Sequence, residues 1–176
     1  MSKRILFFIV IAIAVVLGIV FTVREDGGKE SYVATEPSQF GIETPNATIK
    51  DSRYSDPSGF SFEIPKGYVA RVSGDMTEKT FVFEKEGKSG SGFQMLVTPY
   101  DEPASEFTVA RIRRDLPDLV MKEVKEFEIP NGRGVMFDSD SGREIWFAAA
   151  DGLYQITSPQ TDAEAAEHVA ATFKLD

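Results

Sequence analysis

Hard oxygen ligands stand close together in the segment DSDSGRE, where Asp138, Asp140 and Glu144 surround a turn at Ser141-Gly142. Alternate carboxylates in a tight loop can converge on a calcium ion. The EF-hand pattern breaks here, because the position six residues after Gly142 is Ala148, which carries no ligand oxygen. Acidic residues beside such a turn read as solvated turn formers, and no metal or other cofactor is expected. Gly87-Lys88-Ser89 has the ending of a phosphate-binding loop. The glycine that such a loop needs five residues earlier is Val82, and Gly90, Ser91 and Gly92 lead into a strand instead of a helix, so the segment reads as a hairpin loop.

Arg111, Arg113 and Arg114, joined by Lys122 and Lys125, form the basic cluster of an otherwise acidic sequence. On a helix Arg111 and Arg114 share a face, and the helix dipole favours cations near a C-terminus. In a functional role they would meet an acidic partner or lipid headgroups. Trp146 and Tyr154, on adjoining strands, offer either an aromatic binding platform or cross-strand packing. His168, the single histidine, follows Glu164 by one turn and has no serine or metal-ligand pair placed around it. It reads as a boundary residue of a terminal helix, not a general base.

Composition narrows the chemistry further. The 176 residues include no cysteine, which excludes a disulfide framework, a thiol nucleophile and thiolate metal sites. With 28 acidic against 19 basic residues the net charge is -9, so nucleic acid is not an expected partner.

These residues must be positioned by elements that begin with a membrane segment. From Ile5 to Val23 the chain runs ILFFIVIAIAVVLGIVFTV without a charge, a proline or an amide. As a helix rising about 1.5 Å per residue it is about 28 Å long, enough to cross the hydrocarbon of a bilayer. Its length exceeds a signal-peptide core, and Arg24, Glu25, Asp26 and Gly27 offer no small-x-small cleavage site, so a retained anchor over residues 1–23 is expected. Lys3 and Arg4 before the span put the N-terminus in the cytoplasm and the rest outside, as a single-pass protein of the plasma (inner) membrane. Setting those two aside leaves 17 basic against 28 acidic residues, a net charge of -11 beyond the span.

Residues 24–52 carry Gly27, Gly28, Pro37, Gly41 and Pro45 among serines and threonines, and read as a flexible linker with a reach on the order of 30 Å. The folded unit is expected over 53–176. Phe60, Phe62 and Ile64 alternate with Ser61 and Glu63 in GFSFEIP, the period of a half-buried strand. TFVFEK (80–85) and GFQMLVT (92–98) repeat that pattern. EFEIP, GVMFD, EIWFAA and LYQITS, between Glu126 and Ser158, read as two hairpins turning at Asn131-Gly132 and Asp151-Gly152. Val109, Ile112 and Leu116 have helical spacing ahead of Pro117. Thr161 to Glu164 reads as a capping box opening a helix whose apolar stripe is Ala165, Val169 and Phe173. Helices this short need a sheet to lie on, which makes the class α+β with a mainly antiparallel sheet.

The order GFSFEIPKGY, TVARIRRDLPD, EIWFAAADGLYQITSP and a closing helix ending ATFKL resembles the PsbP-like family over roughly Tyr54 to Leu175. The resemblance implies an antiparallel sheet flanked by helices and an accessory or assembly role outside the membrane, without enzymatic activity. The expected function is that of a membrane-anchored extracytoplasmic domain that binds a protein partner. A carboxylate- or hydroxyl-based hydrolase is the alternative, which would call for two converging carboxylates with raised pKa values in a deep pocket. A structural spacer is the third.

Overall fold

The computed structural model describes residues 47–49, 53–75, 77–88 and 90–175, all within the unit Glu43–Asp176. The apolar run Ile5–Val23 and the linker as far as residue 46 lie outside the described residues. No described helix is long and apolar enough to cross a membrane.

The strands are β1 (Ala47–Ile49), β2 (Arg53–Asp56), β3 (Phe60–Glu63), β4 (Tyr68–Gly74), β5 (Lys79–Lys85), β6 (Gly92–Pro99), β7 (Lys122–Ile129), β8 (Gly132–Ser139), β9 (Gly142–Ala149), β10 (Gly152–Ser158) and β11 (Lys174–Leu175). Helix α1 spans Val109–Asp115 and α2 spans Ala163–Ala171. Eight strands form one sheet in the order β1-β4-β5-β6-β10-β9-β8-β7, and β11-β3-β2 form a small second sheet. All described pairings are antiparallel, which with the two helices gives the α+β class.

The large sheet is covered differently on its two faces. Its first face packs on the small sheet and α2. Phe81 and Phe83 of β5, Phe93 of β6, Phe147 of β9 and Tyr154 of β10 meet Phe60 and Phe62 of β3, Val169 of α2 and Phe173 in one buried cluster. The rings interlock, with Phe83 and Phe93 stacked at 4.4 Å and Phe147 and Tyr154 at 4.9 Å. Each such side chain contributes roughly 2 kcal/mol through removal of apolar surface from water. The second face carries a smaller cluster, Val135, Phe137, Trp146, Ala148 and Leu153, under Tyr100, Phe107 and Ile112. Helix α1 is shaped by Thr108, whose hydroxyl accepts from the Arg111 N–H at 3.2 Å, and by Pro117, which cannot extend it.

Several elements differ from the sequence reading. Ala47–Ile49, assigned to the linker, is a strand paired with β4. Four strands from Lys122 to Ser158 make three successive hairpins, not two. The additional turn is Asp140-Ser141 between β8 and β9. It closes through Gly142 at φ +123°, where an added Cβ would stand 2.2 Å from the Ser158 carbonyl oxygen. At the next hairpin Ala150, at φ +48°, takes the left-handed position that the reading gave to the Asp-Gly pair. The capping box is also absent. A 3₁₀ turn, Gln160–Asp162, leads into α2, and the N-cap residue Asp162 makes no capping bond.

Candidate functional site

Two carboxylates tie the layers together and a third does not, and the contrast among them locates the site. Asp56, at the end of β2, accepts from Lys79 at 2.5 Å, from the Tyr54 hydroxyl and from Ser58. Burial alone would raise its pKa, but the Lys79, Ser58 and Tyr54 bonds outweigh it and hold the carboxyl below its ordinary value. Asp162 repeats the arrangement at the other end of β5, paired with Lys85 and accepting from the Tyr68 hydroxyl and from Thr161. Its pKa is likewise lowered, burial being outweighed by Lys85, Tyr68 and Thr161. Two lysines of one strand thus clamp the small sheet and α2 onto the first face.

Glu144 of β9 is different. It is 6% exposed and accepts from Ser139 Oγ at 3.1 Å, Trp146 Nε1 at 3.0 Å and Thr157 Oγ1 at 2.8 Å, all neutral donors. Desolvation pushes its pKa up, and the bonds from Thr157, Trp146 and Ser139 only partly oppose that.

Its position explains the burial. The antiparallel register sets Phe137, Glu144, Thr157, Gln94, Val82 and Arg71 in one row across β8, β9, β10, β6, β5 and β4. Along that row the second face passes from fully buried Phe137 to Val82, which is 36% exposed. The neighbouring row, Val135, Trp146, Gln155, Leu96 and Thr80, shows the same gradient. Glu144 and Gln155 therefore stand at the margin where the cover of the second face ends. Gln155 is 8% exposed, and its carboxamide makes no hydrogen bond among the described residues.

The sequence candidates are distributed otherwise than expected. Asp138 faces the first side, bound to Arg143 at 2.8 Å and to Gln160 at 2.9 Å, while Glu144 faces the second. Asp140 lies in the turn with exposed Lys122 at 3.4 Å. The three oxygen donors do not converge, and no group of acidic or histidine residues among the described ones could hold a metal. Trp146 and Tyr154 form no platform. The register pairs Tyr154 with Phe147 and Trp146 with Gln155, so the two rings lie on opposite faces, both buried.

Arg111 and Arg114 do share a face, for both reach Asp115. Arg111 is further held by Glu102 at 2.6 Å and Glu106 at 3.7 Å, so its charge is compensated within the domain. Arg114 remains exposed, as do Arg113, Lys122 and Lys125. Tyr100 lies near this group with its hydroxyl buried and without a hydrogen-bond partner among the described residues. Burial pushes its pKa up to about 12, with Glu102 adding to the effect. His168 Nε2 is 3.5 Å from Glu63 on the surface.

Gln155, Thr157 and Ser139 are the site residues that sequence reading missed. The alternation in EIWFAA and LYQITS carries the signal, since it sets Glu144 with Trp146 and Gln155 with Thr157 on the faces opposite Ile145 and Tyr154. Among known proteins, no family model and no curated protein matches this chain.

Proposed function

We propose that the chain is a membrane-anchored, extracytoplasmic PsbP-like domain that acts as a non-enzymatic binding or assembly accessory of the cell envelope. The observation that supports this reading is the half-open second face. Over β4, β5 and β6 it presents Arg71, Thr80, Val82, Glu84, Gln94 and Leu96 as a surface of mixed polarity, with an apolar side chain at its centre. Mixed polar and apolar surfaces on an open sheet face suit contact with another macromolecule better than enclosure of a small substrate. The Arg71–Glu84 ion pair, 3.1 Å, spans two of its strands.

A carboxylate-based hydrolase is the second reading, favoured by the raised pKa of Glu144 alone. The groups bonded to Glu144 are Ser139, Trp146 and Thr157, and Asp56 and Asp162 are held low by lysines. That arrangement supports a binding role over paired acid–base chemistry.

The test is a photo-crosslinking side chain placed at Val82 of the full chain in intact membranes, with the same group at exposed Lys66 as control. A reproducible protein adduct formed at position 82 and not at 66 is the expected result. Adducts to lipid alone at both positions, together with turnover of a substrate by the purified chain, would overturn the reading.

A further inference from the structure

We propose that the open half of the second face takes a polypeptide partner that inserts an arginine side chain at Glu144 and Gln155, with aliphatic residues beside it over Val82 and Leu96. The inference rests on the binding reading above and specifies the chemistry of the partner.

Charge pairing singles out the place. The other buried or half-buried carboxylates among the described residues have cations: Asp56 has Lys79, Asp162 has Lys85, Asp115 and Glu102 have Arg111, Asp138 and Glu167 have Arg143, and Glu84 has Arg71. Glu144 is bonded to neutral donors only, and among the described residues no cation pairs with it. A buried carboxylate without a cation is costly when ionised, and a cation supplied from outside removes that cost. Beside it, the Gln155 carboxamide offers an unused carbonyl acceptor at the margin of the covered region.

Stereochemistry selects arginine over lysine. Ser139 alone donates to Glu144 Oε1, which leaves a lone pair of that oxygen available. A guanidinium carries five donors in a planar fork and can bond a carboxylate and a neighbouring amide carbonyl together, whereas an ammonium is a strongly hydrated point charge. The chain's net charge of -9 favours the approach of a basic segment. Half-buried Leu96 and exposed Val82, one and two strands beyond β10, provide apolar contact next to the Glu144–Gln155 pair.

Trp146 is the only tryptophan, and its indole N–H donates to Glu144, so one resonance reports on that carboxylate. The experiment titrates the full ¹⁵N-labelled chain in detergent micelles with a capped Leu-Arg-Leu peptide, and separately with its citrulline counterpart, a neutral isostere. The expected result is a saturable shift of the indole resonance with arginine and about tenfold weaker binding of citrulline, the loss of one charge-assisted hydrogen bond. Glu144→Gln should abolish the selectivity, and Gln155→Ala, which leaves Glu144 and its donors in place, should weaken arginine binding. Equal responses to the two peptides, or an arginine response that survives Glu144→Gln, would overturn the proposal. Capture of a partner at Val82 without any response to either peptide would overturn it too while leaving the binding reading intact.

Discussion

Lys79 and Lys85 stand at the two ends of β5, each closing a buried carboxylate and a tyrosine hydroxyl into one clamp on the first face of the sheet. Glu144, on the second face, accepts three hydrogen bonds, and among the described residues none comes from a lysine or arginine. The difference teaches that hydrogen bonds alone do not set the state of a buried carboxyl here. At Asp56 and Asp162 a lysine and neutral donors together outweigh desolvation and the pKa falls, whereas at Glu144, which is desolvated more deeply, neutral donors alone do not and it rises. The first face is thereby locked, while the second retains an uncompensated group at the edge of an open surface.

Breaking the clamps should give the largest effects. Lys79→Met leaves Asp56, whose side chain is fully buried, without its cation and should cost about 3 kcal/mol in urea unfolding of the full chain. Adding Asp56→Asn to that variant should restore part of the loss, because the stranded charge is then gone. Lys85→Met should cost less, about 1 to 2 kcal/mol, since that ammonium is partly in water.

Glu144→Gln should act with the opposite sign and raise stability by about 1 kcal/mol at a pH where the wild-type carboxyl is ionised, because the buried charge without a cation is then gone. The pH dependence follows from linkage. A carboxyl raised in the folded state makes stability fall as pH rises from its ordinary value of 4.5 through the folded value. The lowered Asp56 and Asp162 make stability fall as pH drops from 3.8 through their folded values. Urea midpoints across pH should therefore show two opposed slopes, and Glu144→Gln should remove only the upper one. The smallest effect on folding belongs to Val82→Ser, within about 0.5 kcal/mol, because that side chain is exposed. With the crosslinking group moved to Gln94 as reporter, this variant should nevertheless weaken capture of a partner.

Much of the fold could be read from period-two alternation, because aromatic residues mark the buried side unmistakably. Phe60 and Phe62, Phe81 and Phe83, and Phe93 and Met95 all point into the first cluster. β4 escaped that reading because its fully buried residue is Ala70, a weak signal, and β1 because three residues are too few to show a period. The turn in DSDSGRE is legible from its acidic residues and glycine, although Asp140-Ser141 lacks the Asn-Gly or Asp-Gly pair that marks the commonest tight turns, which leaves the third hairpin without its usual signature. The site was legible in part. Glu144 drew attention as a turn ligand beside Asp138 and Asp140, whereas strand parity places it beside Trp146. The pairing of Trp146 with Tyr154 failed for the same reason, since it depends on a register that shifts faces with every residue. Which carboxylates find cations depends on contacts far apart in the sequence, such as Asp56 with Lys79 and Lys85 with Asp162, and no local pattern encodes them.

The most direct measurement is a carboxyl ¹³C NMR titration of the full chain that follows Asp56, Asp162 and Glu144 in one sample. Glu144 should take up its proton above 4.5 while both aspartates do so below 3.8. Midpoints for all three at ordinary carboxylate values, or a Glu144 that stays ionised to lower pH than the aspartates, would contradict that contrast.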